Sequence, residues 1–134
     1  MQTRGFFRGV FLVAALYDLF LGLVFFFLYP WIYGMLAVSL PTEPAYLHAS
    51  AAFVFVQGIM YYLVYRNMER NVDLVLVGAI YKLVYSGVAF YHWGMGTLPH
   101  PIFALFGFLD VIFLVLFLYF LKEAKGLKNG LGHE

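Results

Sequence analysis

The sequence predicts an all-α integral membrane protein, an antiparallel bundle of four helices whose N-terminus and C-terminus both lie in the cytoplasm. Three observations predict it: the composition, the length of four apolar segments and the distribution of basic residues. Of the 134 residues, 64% are hydrophobic and 11% are charged, whereas globular proteins average roughly half and about a quarter. A water-soluble fold could not bury that much apolar surface, so we expect the chain to lie in a lipid bilayer.

Four apolar segments have the length of a membrane crossing, which needs about 20 helical residues for a hydrocarbon core of about 30 Å. Backbone groups in lipid must form hydrogen bonds within their own segment, so the segments are predicted as helices, with Pro30, Pro44 and Pro101 at their boundaries. The predicted helices cover residues 6–29, 45–65, 72–93 and 102–121 of a domain formed by residues 1–122, and a polar cytoplasmic tail, 123–134, follows.

Basic residues flank these segments on one side only. The connections 30–44 and 94–101 contain no Lys or Arg, and the first of them carries Trp31, Tyr33 and an apolar turn that indicate a short surface helix. Because basic connections stay in the cytoplasm, both termini and the middle connection are predicted to be cytoplasmic. The basic residues concerned are Arg4, Arg8, Arg66, Arg70, Lys122, Lys125 and Lys128.

The composition also excludes several classes of function. The chain has no Cys, which excludes disulfides, thiolate chemistry and cysteine-ligated iron–sulfur clusters. Its net charge of +1, without a basic cluster, argues against nucleic acid as a partner. No metalloprotease, nucleophile-elbow, P-loop or dinucleotide motif occurs. An enzyme is therefore disfavoured, although Asp18 and Asp110 could act as acid and base on a substrate between the helices, as in isomerases of membrane sterols.

One strongly polar residue lies near the centre of each predicted helix: Asp18, Gln57, Lys82 and Asp110. A charge at this depth costs about 2.5–3.5 kcal/mol on the insertion scale. We therefore expect the four side chains to face inward and to form a polar cluster at the middle of the membrane.

Small and hydroxyl-bearing residues accompany these positions. Ala14 and Gly22 share a helix face with Asp18, as Gly78 does with Lys82, which would let the backbones approach closely. The hydroxyl groups expected to complete the polar network belong to Tyr17, Tyr61, Tyr81, Tyr85 and Ser86.

Two carboxylates around one ammonium group sum to −1 when all are ionised, which is unfavourable at low dielectric. Either one Asp carries a proton, or a bound cation supplies the missing charge. The first alternative is a proton-exchanging site and the second is a site for a cation or an amine. A third alternative is purely structural, in which the charges fix the order and register of the helices.

No metal or other cofactor is predicted. His48, His92 and His100 lie near the external ends of the helices, with Glu43 nearby, but their spacing is not that of a zinc site. Antiparallel second and third helices could bring His48 and His92 to one level, where two imidazoles could hold a haem.

One stretch in each helix resembles a known group of proteins: YDLFLG in the first, QGIMYYLVYRN at the end of the second, LVGAIYKLVYSGVAFYHW in the third and GFLDVIF in the fourth. Over almost its full length the chain resembles the small bacterial four-helix membrane proteins called DoxX-like, which implies a location in the bacterial inner (cytoplasmic) membrane. Its arrangement is also similar to that of sterol-isomerase-like and sigma-2-receptor-like proteins, which bind amines through buried acids. The carboxylate positions and Lys82 depart from that pattern, so no residue role is carried over.

The small size and short connections favour an accessory or scaffold subunit of a larger membrane complex. The alternative is a proton-coupled carrier or sensor that binds a small lipophilic or cationic ligand between its helices. The expected partners are the lipid bilayer, other membrane subunits or a second copy of the chain, and such a ligand. A groove on the outer face would indicate a partner protein, whereas a central cavity would indicate a ligand.

Overall fold

The computed structural model describes residues 2–132, with side chains described for residues 4–125. Its five α-helices are α1 (Gln2–Phe27), α2 (Tyr29–Met35), α3 (Pro44–Arg66), α4 (Val72–Met95) and α5 (Ile102–Gly132). No strand occurs between residues 2 and 132, so the predicted all-α class is confirmed. All but α2 are long and apolar enough to cross a membrane.

Proline and glycine mark the helix ends where the sequence predicted boundaries. Pro44 is the first residue of α3, and Pro30 lies in the first turn of α2, where a missing N–H breaks no helical hydrogen bond. Gly96 ends α4 with a φ of 72°, a left-handed conformation that favours glycine. The short helix α2 is the one predicted in the first connection, and none of its residues is buried.

The last helix is longer than predicted. We expected a helix over 102–121 and a separate polar tail over 123–134, but α5 continues to Gly132. Glu, Ala, Lys and Leu in this stretch favour helix, and no proline interrupts it. Residues 133 and 134 of the predicted tail lie outside the described residues.

The long helices pack as two antiparallel pairs, α1 with α3 and α4 with α5, and contacts between the pairs are less extensive. Glycines bring α1 and α3 close together. A Cβ atom on Gly22 would lie 2.8 Å from Phe55 Cβ, and one on Gly58 would lie 2.7 Å from the backbone nitrogen of Leu19. The close approach expected at Gly22 is therefore present, and these backbones could not pack so tightly with larger residues.

The α3–α4 connection closes one end of the bundle, which we call the turn end. Asn71 Nδ2 donates to the carbonyl oxygens of Leu63, in the last turn of α3, and of Asn67, the residue that follows the helix, each at 3.0 Å. Arg4 at the start of α1 forms an ion pair with Glu69 of this connection. We call the opposite end, which holds α2 and the α4–α5 connection, the α2 end.

Aromatic side chains fill the bundle between the turn end and the middle of the helices. Phe11 stacks on Phe117 with ring centroids 5.3 Å apart, and Phe120 meets Phe11 edge to face at 5.1 Å. Tyr61 contacts Phe117 at 5.2 Å. Phe11, Tyr61 and Phe117 are fully buried. These four residues, together with Phe7, form what we call the aromatic core, and it closes this half of the bundle.

Candidate functional site

Lys82 binds two aspartates in the centre of the bundle. Its Nζ donates to Asp110 Oδ1 at 2.9 Å and to Asp18 Oδ1 and Oδ2 at 3.3 and 3.5 Å. The three residues come from α4, α5 and α1, and their exposed fractions are 0% for Lys82, 4% for Asp110 and 2% for Asp18. The inward cluster predicted from the sequence therefore forms for these three residues, which we call the charged triad.

The neighbours of the triad residues explain how three helices can converge there. Ala14 and Gly22, one turn either side of Asp18, are buried against neighbouring helices. On α4, a Cβ atom at Gly78 would lie 2.6 Å from the Tyr61 ring, so only glycine leaves room for this tyrosine. Small residues thus place the charged groups within hydrogen-bonding distance of one another.

Four aromatic rings surround the Lys82 ammonium group. The ring centroids of Phe113, Tyr61, Tyr17 and Tyr81 lie 5.2, 5.4, 5.6 and 5.6 Å from Nζ. Ring faces at these distances attract a cation, and the attraction is stronger where water is excluded. The ammonium charge is therefore compensated by rings as well as by carboxylates.

The predicted hydroxyl groups do not join the carboxylates in one network. The Tyr61 hydroxyl donates to the carbonyl oxygen of Gly78 at 3.4 Å, and Ser86 Oγ donates to that of Leu83 at 3.1 Å. The buried Tyr17 hydroxyl has no hydrogen-bond partner among the described residues. The tyrosines around Lys82 therefore contribute mainly their rings to the site. Tyr85 lines a cavity beside the triad, which is described below.

Gln57, the fourth member of the predicted cluster, is not bonded to the triad. Its side-chain oxygen is buried, yet no described residue donates to it. The sequence prediction included Gln57 because this residue lies near the centre of its helix. Depth alone does not fix the direction of a side chain around the helix axis, and the charged triad is complete without this residue.

A cavity of about 180 Å³ lies beside the triad, on the side of the α2 end. Asp18 and Asp110 line it, and the remaining walls are largely apolar and come from all four long helices. Asp110 accepts from Lys82 through Oδ1 only, so its second oxygen has no donor among the described residues. We call this space the central cavity; its other walls are Tyr17, Leu21, Phe25, Leu47, Ser50, Ala51, Val54, Tyr81, Tyr85, Phe103 and Phe106.

A second cavity of about 210 Å³ lies nearer the α2 end and shares two walls, Tyr85 and Phe103, with the central cavity. Tyr33 lines it, and partial burial raises the pKa of the Tyr33 hydroxyl. We call this space the outer cavity; its remaining walls are Val88, Ala89, His92, Leu98 and Pro99.

The histidines considered as metal or haem ligands make local contacts instead. His48 packs against the rings of Phe26 and Tyr29, with centroids 4.8 and 5.3 Å away. His92 Nδ1 lies 2.7 Å from Thr97 Oγ1, and His100 Nδ1 accepts from the backbone N–H of Ile102 at 3.0 Å. The described part of the chain contains no group of three or more His, Cys, Asp or Glu side chains placed to hold a metal ion.

The sequence analysis named the two aspartates and Tyr17, Tyr81 and Tyr85 but missed the apolar walls of the central cavity. Phe103 and Phe106 lie seven and four residues before Asp110 and share its face of α5. Leu21 and Phe25 likewise share a face of α1 with Asp18. Helical spacing from each aspartate could have identified these residues, because side chains on the face of a buried charge also point inward.

Comparisons with known proteins add no relative. No protein-family model, curated protein or solved structure matches the chain. The resemblance to DoxX-like proteins therefore stays a prediction from the sequence, and the function has to be argued from the triad and its cavities.

Proposed function

We propose that the protein is an integral membrane protein with its turn end in the cytoplasm and its α2 end on the external side. Four helices of sufficient length and the large apolar side chains that they expose, such as Phe20, Ile80 and Val115, support insertion. The basic residues at the turn end support the orientation. A bacterial inner membrane is the location that we propose from the DoxX-like resemblance.

Thiol labelling tests this orientation directly, because the natural chain has no Cys. Thr42→Cys lies in the α2–α3 connection and Glu123→Cys lies beyond residues 102–121, the predicted membrane segment of α5, and both positions are exposed. In intact cells a membrane-impermeant maleimide should label Thr42→Cys, and it should label Glu123→Cys only after permeabilisation. Labelling in the reverse order would refute the orientation.

We propose further that the central cavity binds a small lipophilic amine, and that the protein is a carrier or sensor for it. The observation that supports this proposal is the position of Asp18 and Asp110, which form a charged wall of an otherwise largely apolar cavity. Two carboxylates and one ammonium group leave one negative charge uncompensated when all are ionised. A ligand cation would supply that charge.

The walls suit the apolar part of such a ligand. Phe25, Phe103 and Phe106 contact one another with ring centroids 6.0–6.2 Å apart and present an aromatic surface. Apolar walls with a few converging polar groups are typical of small-molecule sites. The ammonium group would bind at the carboxylates, where Lys82 already shows that the site accepts a cation.

Amine binding would be coupled to protons. When the central cavity holds no ligand, a proton on Asp18 or Asp110 balances the triad instead. A bound amine replaces that proton, so binding should release one proton and should weaken as the pH falls. This linkage would let a proton gradient bias loading or release.

A binding assay with a matched pair of probes tests the proposal. We expect 2-phenylethylamine to raise the melting temperature of the purified protein, whereas 2-phenylethanol, of similar shape but uncharged, should do so much less. A ligand at a free concentration of 100 times its Kd stabilises the folded state by about 2.7 kcal/mol. Asp110→Asn should abolish the difference between the probes, while Asp73→Asn, an exposed carboxylate outside the cavity, should preserve it. Equal effects of amine and alcohol on the natural protein would refute the proposal.

The accessory-subunit role favoured by the sequence is the second candidate. Gly87 and Gly94 lie on one outward face of α4, and a Cβ atom at either would meet nothing within 4 Å. Such small residues permit close packing of a helix from another membrane protein. Native mass spectrometry of gently extracted protein separates the candidates, since a defined larger complex supports the accessory role and a lone protein with a bound small molecule supports the carrier or sensor.

A further inference from the structure

The two cavities follow one face of α4 from the charged triad to the helix end. Tyr81, Tyr85, Val88 and His92 recur at spacings of three or four residues, so they lie on the same face. At about 1.5 Å per residue, Tyr81 to His92 spans about 16 Å along the helix. The outer cavity therefore begins near the α2 end, and the central cavity continues from it to the depth of the triad.

Only two side chains are common to both cavities. Tyr85 of α4 and Phe103 of α5 line each of them and form the partition between the two spaces. Both residues are half-buried rather than locked in the core. A rotamer change at either ring would widen the connection, as expected of a constriction that controls passage.

The opposite direction is closed. The aromatic core lies directly between the triad and the turn end, and Phe11, Tyr61 and Phe117 in it are fully buried. None of these three residues lines either cavity. Rings packed with their centroids 5.1–5.3 Å apart leave no path for a small molecule from the turn end in this conformation.

We propose that the outer cavity is the entrance to the central cavity, and that Tyr85 and Phe103 gate the passage of small organic cations between them. Ligand exchange in this conformation is then restricted to the α2 end. That the molecule in the central cavity is an amine rests on the proposed function. The path from the outer cavity to the central cavity does not require that amines bind tightly. The competing route is lateral, from the lipid between α3 and α4 past the exposed Ser50.

Single-cysteine variants of the full-length protein in membrane vesicles measure this route, because no natural Cys competes. Leu21→Cys places a thiol on the wall of the central cavity, and Leu98→Cys places one in the outer cavity. The probe is the trimethylammonium reagent MTSET, a small permanent cation that does not cross lipid, added from the α2 side. We expect it to modify both thiols, and to modify Leu98→Cys faster.

The gate is tested by adding a second substitution to Leu21→Cys. Phe103→Trp should slow MTSET modification about tenfold or more, and Phe103→Ala should accelerate it. Leu83→Trp, on the exposed face of α4, is the control for added bulk and should leave the rate unchanged. A misfolded Phe103→Trp protein would expose the thiol and raise the rate, so misfolding cannot imitate the expected result.

Two outcomes would overturn the proposal. One is an unchanged modification rate in Phe103→Trp combined with strong slowing by Ser50→Trp, which would establish the lateral route. The other is a thiol at Leu21→Cys that reacts with the lipid-soluble N-ethylmaleimide but not with MTSET. A separate measurement asks whether 2-phenylethylamine slows the modification of Leu21→Cys by MTSET. If Phe103 controls the rate but the amine does not slow it, amine binding is refuted and the entrance remains established.

Discussion

Lys82 lies 0.4 Å closer to Asp110 than to Asp18, with Nζ–Oδ1 distances of 2.9 and 3.3 Å. The shorter contact joins α4 and α5, which already pack as a pair, and the longer one joins α4 to α1 of the other pair. The charged triad is therefore both a contact within one helix pair and a link between the two pairs.

Removing the ammonium group should destabilise the fold strongly. Lys82→Met preserves most of the side-chain volume but leaves two buried carboxylates without their cation, a change that costs about 3–5 kcal/mol. Unfolding by SDS in mixed micelles measures the free energy of unfolding. The control Leu83→Met changes an exposed neighbour and should shift it little. Equal stability of the two variants would contradict a structural contribution of the triad.

The two ion pairs should differ in coupling energy. In double-mutant cycles that combine Lys82→Met with Asp110→Asn or with Asp18→Asn, contacting pairs typically give coupling energies of about 0.5–3 kcal/mol. We expect the cycle with Asp110 to give the larger value, because its contact with Nζ is shorter. A larger coupling to Asp18 would show that the distances in the triad do not determine its energetics.

The α1–α3 interface should tolerate no side chain at Gly58. Gly58→Ala places a methyl group 2.7 Å from the backbone nitrogen of Leu19, so the helices must separate. Overpacking of this kind costs about 1–3 kcal/mol. Gly87→Ala is the matched control, since its Cβ meets nothing within 4 Å and alanine favours helix by about 1 kcal/mol. The same unfolding titration should thus give shifts of opposite sign, and a shift of the same sign would contradict the packing.

Gln57→Met should stabilise the protein. The substitution removes a buried amide oxygen that no described residue satisfies, and an unsatisfied buried acceptor costs about 1–3 kcal/mol. If Gln57 instead belonged to the polar cluster, as the sequence suggested, the same change would break a hydrogen bond and lower the free energy of unfolding. A rise in the free energy of unfolding would show that the amide is unsatisfied, and a fall would show that Gln57 belongs to the polar cluster.

The helices and the triad could be predicted from the sequence because a chain expected to lie in a bilayer is subject to severe constraints. Length and hydropathy indicate Arg4–Phe27 and the three other long helices, and the cost of a charge in lipid forces Asp18, Lys82 and Asp110 to meet. Gln57 did not follow this logic, because an uncharged amide without a partner costs much less in an apolar environment than a charge does.

The cavities could not be predicted, because they depend on how the two helix pairs are inclined to each other. Nothing in the spacing of Tyr85 and Phe103 indicates that their rings border two spaces rather than fill one. Likewise, Phe11 and Phe117 are two of many phenylalanines in the sequence, and only the three-dimensional packing separates those of the aromatic core from those that face outward.

The division into helix pairs has a consequence for biosynthesis. Lys82 and Asp110 belong to the pair that is made second, α4 with α5, and they can neutralise each other within that hairpin. Asp18 belongs to the hairpin made first and has no cation of its own until α4 arrives. The early hairpin therefore holds a solitary acid that a proton can neutralise, and because the late hairpin is already neutral, that proton stays with the assembled triad until another cation replaces it.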